Sequence, residues 1–254
     1  MNLNMTFNQN AAAFEQYRIK YPEALYRDIL AYAQICSDSS LLEIGMGSGQ
    51  ATEPFLAMGC SLTAIEQGDK LAAIASEKFA CYPNFKLWLG RFEEFDCSER
   101  YDLIFSASAF HWIEEDFGYR RVHELLKEGG SFARFASHPE YRIGQEALYE
   151  DIQKLYDIYK PGPKPVEYTE ADAASRAATA ERYGFSDCTY RMYELTVPFT
   201  AAAYAGRLST YSDHAVLPEE VKREFFAKVE EVINAHGGIL NLRHIIDLQL
   251  ARKG

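Results

Sequence analysis

Basic residues are scarce in this sequence: 26 Lys+Arg stand against 37 Asp+Glu, a formal net charge of −11. Such a field repels phosphate backbones and anionic lipid at long range, which argues against nucleic acid and membrane surfaces as partners. Cysteines are few too. Cys36, Cys60, Cys81, Cys97 and Cys188 are odd in number, far apart and without a CxxC pair, which excludes a disulfide framework and a zinc site as organising features. No apolar run approaches the roughly 18 residues needed to span a bilayer. The opening MNLNMTFNQN lacks the basic-then-apolar order of a secretory signal. Together these absences predict a cytoplasmic protein with reduced thiols and no metal.

What is present fits an ordinary folded domain. The chain has 254 residues, 48% hydrophobic and 25% charged, enough for one large domain or one domain carrying an insertion. Only 2 Trp accompany 17 Tyr and 16 Phe. Tyr has a large apolar body with a polar tip, which suits a small-molecule pocket and an ordinary core equally.

Residues 22–36 place Leu25, Ile29, Leu30 and Ala33 at helical spacing behind a proline. Five short apolar runs follow, LLEI at 41–44, SLTAI at 61–65, FKLWL at 85–89, YDLIF at 101–105 and SFARF at 131–135, separated by helix-like segments. The last of these helices, EDFGYRRVHELLKEGG, is expected to stop at Gly129 and Gly130. This alternation predicts βαβ units and a parallel sheet covered on both faces. Residues 143–160 and 169–184 read as helices around the proline-broken PGPKP at 161–165. A strand at 188–199, a helix at 218–238 and a β-rich ending at 239–253 then complete the sheet. The expected fold is α/β, doubly wound and Rossmann-like, with a mostly parallel seven-stranded sheet, helices on both faces and a helical insertion after the fifth strand. It forms one domain: an N-terminal helical lid over 1–36, a cofactor-binding core over 37–137, the insertion over 138–186, and the closing elements over 187–254.

The strongest chemical signal is LLEIGMGSGQ at 41–50, an apolar strand, then Gly45, Gly47 and Gly49 in a tight turn, then a helix. Glycines there let the backbone turn sharply and let a ligand approach the amides at a helix start. A dinucleotide fingerprint needs a glycine or alanine three residues after the second glycine, but Gln50 stands there. Glu66 ends the next strand, where a carboxylate accepts both hydroxyls of a ribose.

With LLEIGMGSG, Glu66, YDLIFSASAFHWI at 101–113 and LLKEGGSF at 125–132, the sequence resembles the class I S-adenosylmethionine-dependent methyltransferases. The likeness is to their small-molecule branch, of the UbiE and trans-aconitate methyltransferase type. FEQYRIKYPEALYRDI at 14–29 is similar to the stretch preceding the core in that branch, from which Ile19 and Lys20 depart. The resemblance implies S-adenosylmethionine as cofactor. It assigns Gly45, Met46, Gly47 and Gly49 to its amino-acid moiety, Glu43 to the loop or the ammonium, Glu66 to the ribose, and Gln67 to the neighbourhood of the adenine. Arg91 stands where a carboxylate for the adenine amino group is usual, and Phe92 would supply an amide and a stacking face. Ser106 and Ala107 would pass under the methionine part, with Phe110, His111 and Trp112 facing the transfer site.

His111 is the candidate general base, and Tyr17 and Arg18 would close over the site, arginine matching a carboxylate of cofactor or acceptor. Arg134, His138, Tyr141 and Arg142 follow the fifth strand as candidate acceptor contacts, with Tyr211, His214 and Arg243 behind them. The expected activity is methyl transfer to a small organic acceptor at O, N or C by a monomer or homodimer. A nicotinamide-dependent oxidoreductase and a non-catalytic S-adenosylmethionine-binding protein are the competing readings.

Overall fold

The structure is a computed structural model that describes residues 3–140, 144–164 and 166–254. A 3-10 stretch over Leu3–Asn10 leads into α1 (Ala11–Tyr17) and α2 (Glu23–Ala33). Next come β1 (Ser40–Ile44), α3 (Glu53–Ala57), β2 (Ser61–Glu66), α4 (Asp69–Lys78), β3 (Phe85–Leu89), β4 (Tyr101–Ala107), α5 (Glu115–Leu125) and β5 (Leu126–Glu140). The chain continues through α6 (Glu146–Tyr159), α7 (Glu170–Thr179), β6 (Phe185–Thr200), α8 (Ala201–Leu208), α9 (Ser212–Ala215), α10 (Glu219–Ala235) and β7 (Ile239–Lys253).

The seven strands form one sheet in the order β3-β2-β1-β4-β5-β7-β6, mostly parallel with one antiparallel hairpin. β1 pairs in parallel with β2 from Ser40↔Ser61 to Ile44↔Ile65, and with β4 from Leu41↔Leu103 to Glu43↔Phe105. The strand order reverses between β1 and β4, the point at which doubly wound sheets bind ligands beyond their carboxyl ends. Strands covered on both faces read as unbroken apolar runs, which is why LLEI and YDLIF were legible as strands.

α5 ends at Leu125, and the two glycines expected to stop it lie inside β5 instead. Leu126 pairs with Tyr101, and the register shifts between Tyr101 and Leu103. In that irregularity a Cβ on Gly130 would lie 2.9 Å from the Lys127 carbonyl oxygen and 3.0 Å from that of Tyr101. The glycine serves a close backbone approach, not a helix end. α7 behaves as expected, opened by a Thr169–Asp172 capping box and continued by a 3-10 turn that Gly184 ends at φ 88°.

The chain resolves into two compact units. The larger comprises Lys20–Ser137, Tyr168–Tyr193 and Ile246–Gly254, and its core includes Leu42, Ile44, Ile65, Phe92, Ile104, Phe110, Tyr119 and Phe132. The smaller comprises Met1–Ile19, His138–Glu167 and Glu194–Ile245, with its own core around Leu148, Tyr204, Leu208, Phe225, Val229 and Leu242. Within the segment 138–186, residues 138–167 fall in the smaller unit and 168–186 in the larger. The smaller unit also contains the short helices α1, α8 and α9.

Candidate functional site

In the larger unit the chain leaves β1 into the glycine turn. Gly45 and Met46 donate their N–H groups to the Ile65 carbonyl at 2.9 and 3.1 Å, and Gly49 N–H closes onto Met46 O at 3.0 Å. Gly45, Gly47 and Gly49 have φ values of 70°, 61° and 87°, the left-handed region that disfavours a Cβ. Gly45 is doubly constrained, since a Cβ there would come 2.5 Å from the Cβ of Ala109 in the loop after β4. The two loops at the switch point are thus in direct contact.

Two carboxylates lie beneath this turn. Glu66 accepts from Gly47 N–H at 2.8 Å and Gly68 N–H at 2.7 Å, with a further bond from the Gln67 amide. Burial pushes its carboxyl upward against those bonds. Glu43 is 1% exposed; its Oε2 accepts the Thr52 hydroxyl at 2.6 Å, while its Oε1 has no hydrogen-bond partner among the described residues. Burial raises its carboxyl to about 8, opposed by the Thr52 bond and reinforced by the Glu66 charge, with Lys78 pulling down. A buried acidic oxygen with no donor among the described residues is chemically matched to a cationic group such as an α-ammonium.

The end of β4 supplies the opposite side. The buried Ser106 hydroxyl donates to the Ile44 carbonyl at 2.9 Å, fixing the exit of β1, and Ala107 follows half-buried. Ser108 then adopts φ 53°, a strained conformation for a serine. It is held by its N–H to Phe135 O at 2.8 Å, by the Ser137 N–H to its hydroxyl at 3.3 Å, and by a 2.9 Å hydroxyl contact with Tyr21. The Tyr21 ring in turn stands edge-on to Phe135 at 4.8 Å. Sequence reasoning missed Tyr21, Thr52, Ser108 and Ala109. The Tyr21-Pro22 pair lay inside the N-terminal stretch already singled out, but nothing local pointed it at Ser108.

Two of the aromatic candidates are packed in the core. Phe110 is 3% exposed and packs against Tyr119 and Phe132 at 5.2 and 5.0 Å, with the Arg134 guanidinium over its ring. Phe92 is 4% exposed and edge-on to Phe117. Both rings belong to the core. Arg134 also donates to the Tyr119 hydroxyl at 3.1 Å, which ties it to α5. His111 is exposed and Trp112 half-buried, their rings 5.0 Å apart. Gln67 is half-buried, and the exposed Arg91 pairs with Glu93 at 2.9 Å.

Tyr17 and Arg18 belong to the smaller unit. Arg18 donates to the Thr210 carbonyl at 2.7 Å and lies 4.9 Å from the ring centroids of both Phe14 and Tyr211. The Tyr17 ring covers Gly206, where a Cβ would collide with it. His214 is buried between Asp213 at 2.8 Å and the Tyr156 hydroxyl at 2.9 Å, and Arg243 pairs with Glu140 at 3.0 Å and with Glu194. These are contacts among α6, α9 and the strand ends that hold the unit together. His138 also lies in this unit; Tyr141 and Arg142 fall outside the described residues.

No helix among the described residues is long and apolar enough to cross a membrane, and they contain no group of three or more His, Cys, Asp or Glu arranged to hold a metal.

Residues 41–130, the stretch holding β1, the glycine turn, Glu66 and β4, match the family model of a methyltransferase domain. An uncharacterized methyltransferase of Schizosaccharomyces pombe is 21% identical over 233 residues, 91% of this chain and 88% of that one. One from Bacillus mycoides is 33% identical over 117 residues, and there the match spans 44% of this chain and 54% of the relative. A phosphoethanolamine N-methyltransferase structure from Haemonchus contortus, in complex with phosphomonomethylethanolamine and S-adenosylhomocysteine, covers 97% of this chain and 57% of its own. Its TM-score of 0.57 at 14% identity shows a common fold. The matched domain is the one that builds the turn over Glu43 and Glu66, so residues 41–130 carry a methyltransferase domain, and the relatives and structural neighbours support a class I S-adenosylmethionine-dependent methyltransferase.

Proposed function

We propose that this methyltransferase delivers the methyl group to a small organic acceptor, at oxygen, nitrogen or carbon, and releases S-adenosylhomocysteine. When bound, the cofactor supplies a sulfonium-activated methyl group, so the protein's work is mainly to hold donor and acceptor about 3 to 3.5 Å apart and in line. The observation that carries the reading is the glycine turn over two buried carboxylates. Glu43 offers the cofactor's ammonium an acidic oxygen that no donor among the described residues occupies, and the turn of Gly45 and Gly47 is assigned to the amino-acid moiety. Glu66, its plane preset by the Gly47 and Gly68 amides, receives the ribose hydroxyls. Gln67 and the Phe92 amide border the adenine.

Ser106 and Ala107 line the methionine part, and the Tyr21–Ser108 pair braces the loop on which His111 and Trp112 stand. His111, exposed at the carboxyl end of the sheet, is assigned to take a proton where the acceptor must lose one. Tyr17 and Arg18 are assigned to acceptor selection. The overall charge of −11 favours small acceptors over nucleic acid.

Isothermal titration with S-adenosylmethionine and S-adenosylhomocysteine tests the donor half, and micromolar binding of both is expected. The acceptor half is read from S-adenosylhomocysteine formation across acids, phenols and amines. Binding of neither cofactor form refutes the site. Binding without turnover on any acceptor leaves a non-catalytic binding protein.

A further inference from the structure

Two cysteines of the larger unit, outside the cofactor site, meet where α2 hands the chain to β1. Gln34, just past α2, adopts φ 54°, and this left-handed cap ends the helix and redirects the chain. A tight turn follows. Ser39 N–H donates to the Cys36 carbonyl at 3.0 Å, and the Ser39 hydroxyl accepts from Cys36 N–H at 3.1 Å. The turn clasps the entry to β2: Ser61 N–H donates to the Ser39 carbonyl at 3.0 Å, and the Cys60 thiol donates to the Cys36 carbonyl at 3.2 Å. The Cys36 sulfur itself lies 3.6 Å from the Ser39 hydroxyl.

Both thiols are free, but they differ in what reaches them. Cys36 is exposed, whereas Cys60 is fully buried, and burial followed by the neighbouring Cys36 raises the Cys60 thiol above its usual range. A dissolved oxidant therefore meets Cys36 first, with Cys60 behind it as a protected second thiol.

We propose that Cys36 and Cys60 join as a disulfide when a hydroperoxide reaches the protein, the Cys36 side chain rotating from Ser39 toward Cys60. With hydrogen peroxide, the Cys36 sulfur attacks one peroxide oxygen and the O–O bond breaks, giving a sulfenic acid and one water. The Cys60 sulfur then attacks the Cys36 sulfur; the S–O bond breaks, and the hydroxyl leaves with the Cys60 proton as a second water. Two thiols are oxidised and one peroxide is reduced. The bridge closes the chain over 36–60, the stretch that contains β1, the glycine turn and α3. Closing a loop restricts the unfolded chain, so oxidation stabilises the segment that carries the turn. It also spares Cys36 the irreversible step to sulfinic acid.

The test treats the full chain with hydrogen peroxide, alkylates it with N-ethylmaleimide and maps it by mass spectrometry after cleavage at glutamate, since Glu43 and Glu53 lie between the two cysteines. A Cys36–Cys60 linked peptide pair is expected in most chains, reversed by dithiothreitol, while the exposed Cys81 serves as the reference thiol. Cys36→Ser should abolish the link, and Cys60→Ser should let Cys36 run on to the sulfinic acid. The urea midpoint should rise on oxidation of the parent and not of Cys36→Ser. Sulfinic Cys36 beside reduced Cys60 in the parent, a link to Cys81, Cys97 or Cys188 instead, or a midpoint that does not rise overturns the proposal. Should Cys60→Ser fail to fold, the parent map and the exposed-site variant Cys36→Ser decide.

Discussion

Glu43→Gln is expected to remove a loss of stability that the parent protein suffers as pH rises toward 8. In the folded protein the Glu43 carboxyl titrates near 8 against 4.5 when unperturbed, because it is buried beside Glu66 with one oxygen unbonded. Between those two values the folded state keeps a proton that the unfolded state has lost, so stability is full below about pH 4.5 and falls as pH rises toward 8. Each pH unit is worth about 1.4 kcal/mol. The interval of about 3.5 units thus sets a ceiling of about 5 kcal/mol, which relaxation around Thr52 and Lys78 reduces to a few.

Glutamine keeps an acceptor for the Thr52 hydroxyl and cannot ionise. It introduces an amide donor where the carboxylate oxygen stood unbonded, at a cost of about 1–3 kcal/mol if that donor finds no acceptor. The variant should therefore match or fall below the parent near pH 5 and exceed it by 1 kcal/mol or more at pH 8.5. Urea midpoints measured every half pH unit from 5 to 9 show this as two curves that cross. Parallel curves would refute the burial argument. The same carboxyl should release a proton when a cationic ammonium binds against it, so the apparent enthalpy of S-adenosylmethionine binding at pH 7 should vary with buffer ionisation heat in the parent and not in Glu43→Gln.

Gly45→Ala places a methyl at φ 70° and 2.5 Å from the Ala109 Cβ. It should cost about 2 kcal/mol or more of stability and weaken cofactor binding at least ten-fold by titration. Tyr21→Phe and Ser108→Ala each remove one side of the same hydroxyl pair, at about 1 kcal/mol apiece. Their double variant should cost clearly less than the sum in urea denaturation, and full additivity would show that the pair is not coupled. Glu66→Ala should lower S-adenosylmethionine affinity ten-fold or more; an unchanged dissociation constant would remove the ribose assignment.

The inner strands β1 and β4 were legible because they are largely buried and apolar; the edge strand β3 was read residue for residue as FKLWL at 85–89, although none of its residues is fully buried. The glycine turn and its acidic partners were legible because backbone chemistry at that position admits few residue types. What escaped depends on contacts distant in sequence. Gly130 looked like a helix stop until the Tyr101 carbonyl was found against it. Phe92 and Phe110 sit at loop positions where a ligand is expected, yet tertiary packing turned both rings inward. The pairing of Arg18 with Thr210 and of Arg207 with Tyr17 spans about 190 residues, and no local pattern announces it.

The Ser106 bond to the Ile44 carbonyl bears on how this site could be moved or rebuilt. The backbone pairing of β1 with β4 runs only as far as Glu43↔Phe105, so on that side the exit of the chain is held by a side chain of β4, while backbone bonds to Ile65 of β2 hold the other side. The cofactor turn is thus not a self-contained cassette. Transplanting residues 41–50 into another parallel sheet should reproduce its sequence without its geometry, unless the adjoining strand brings a hydroxyl at the place of Ser106 and a small residue at the place of Ala109.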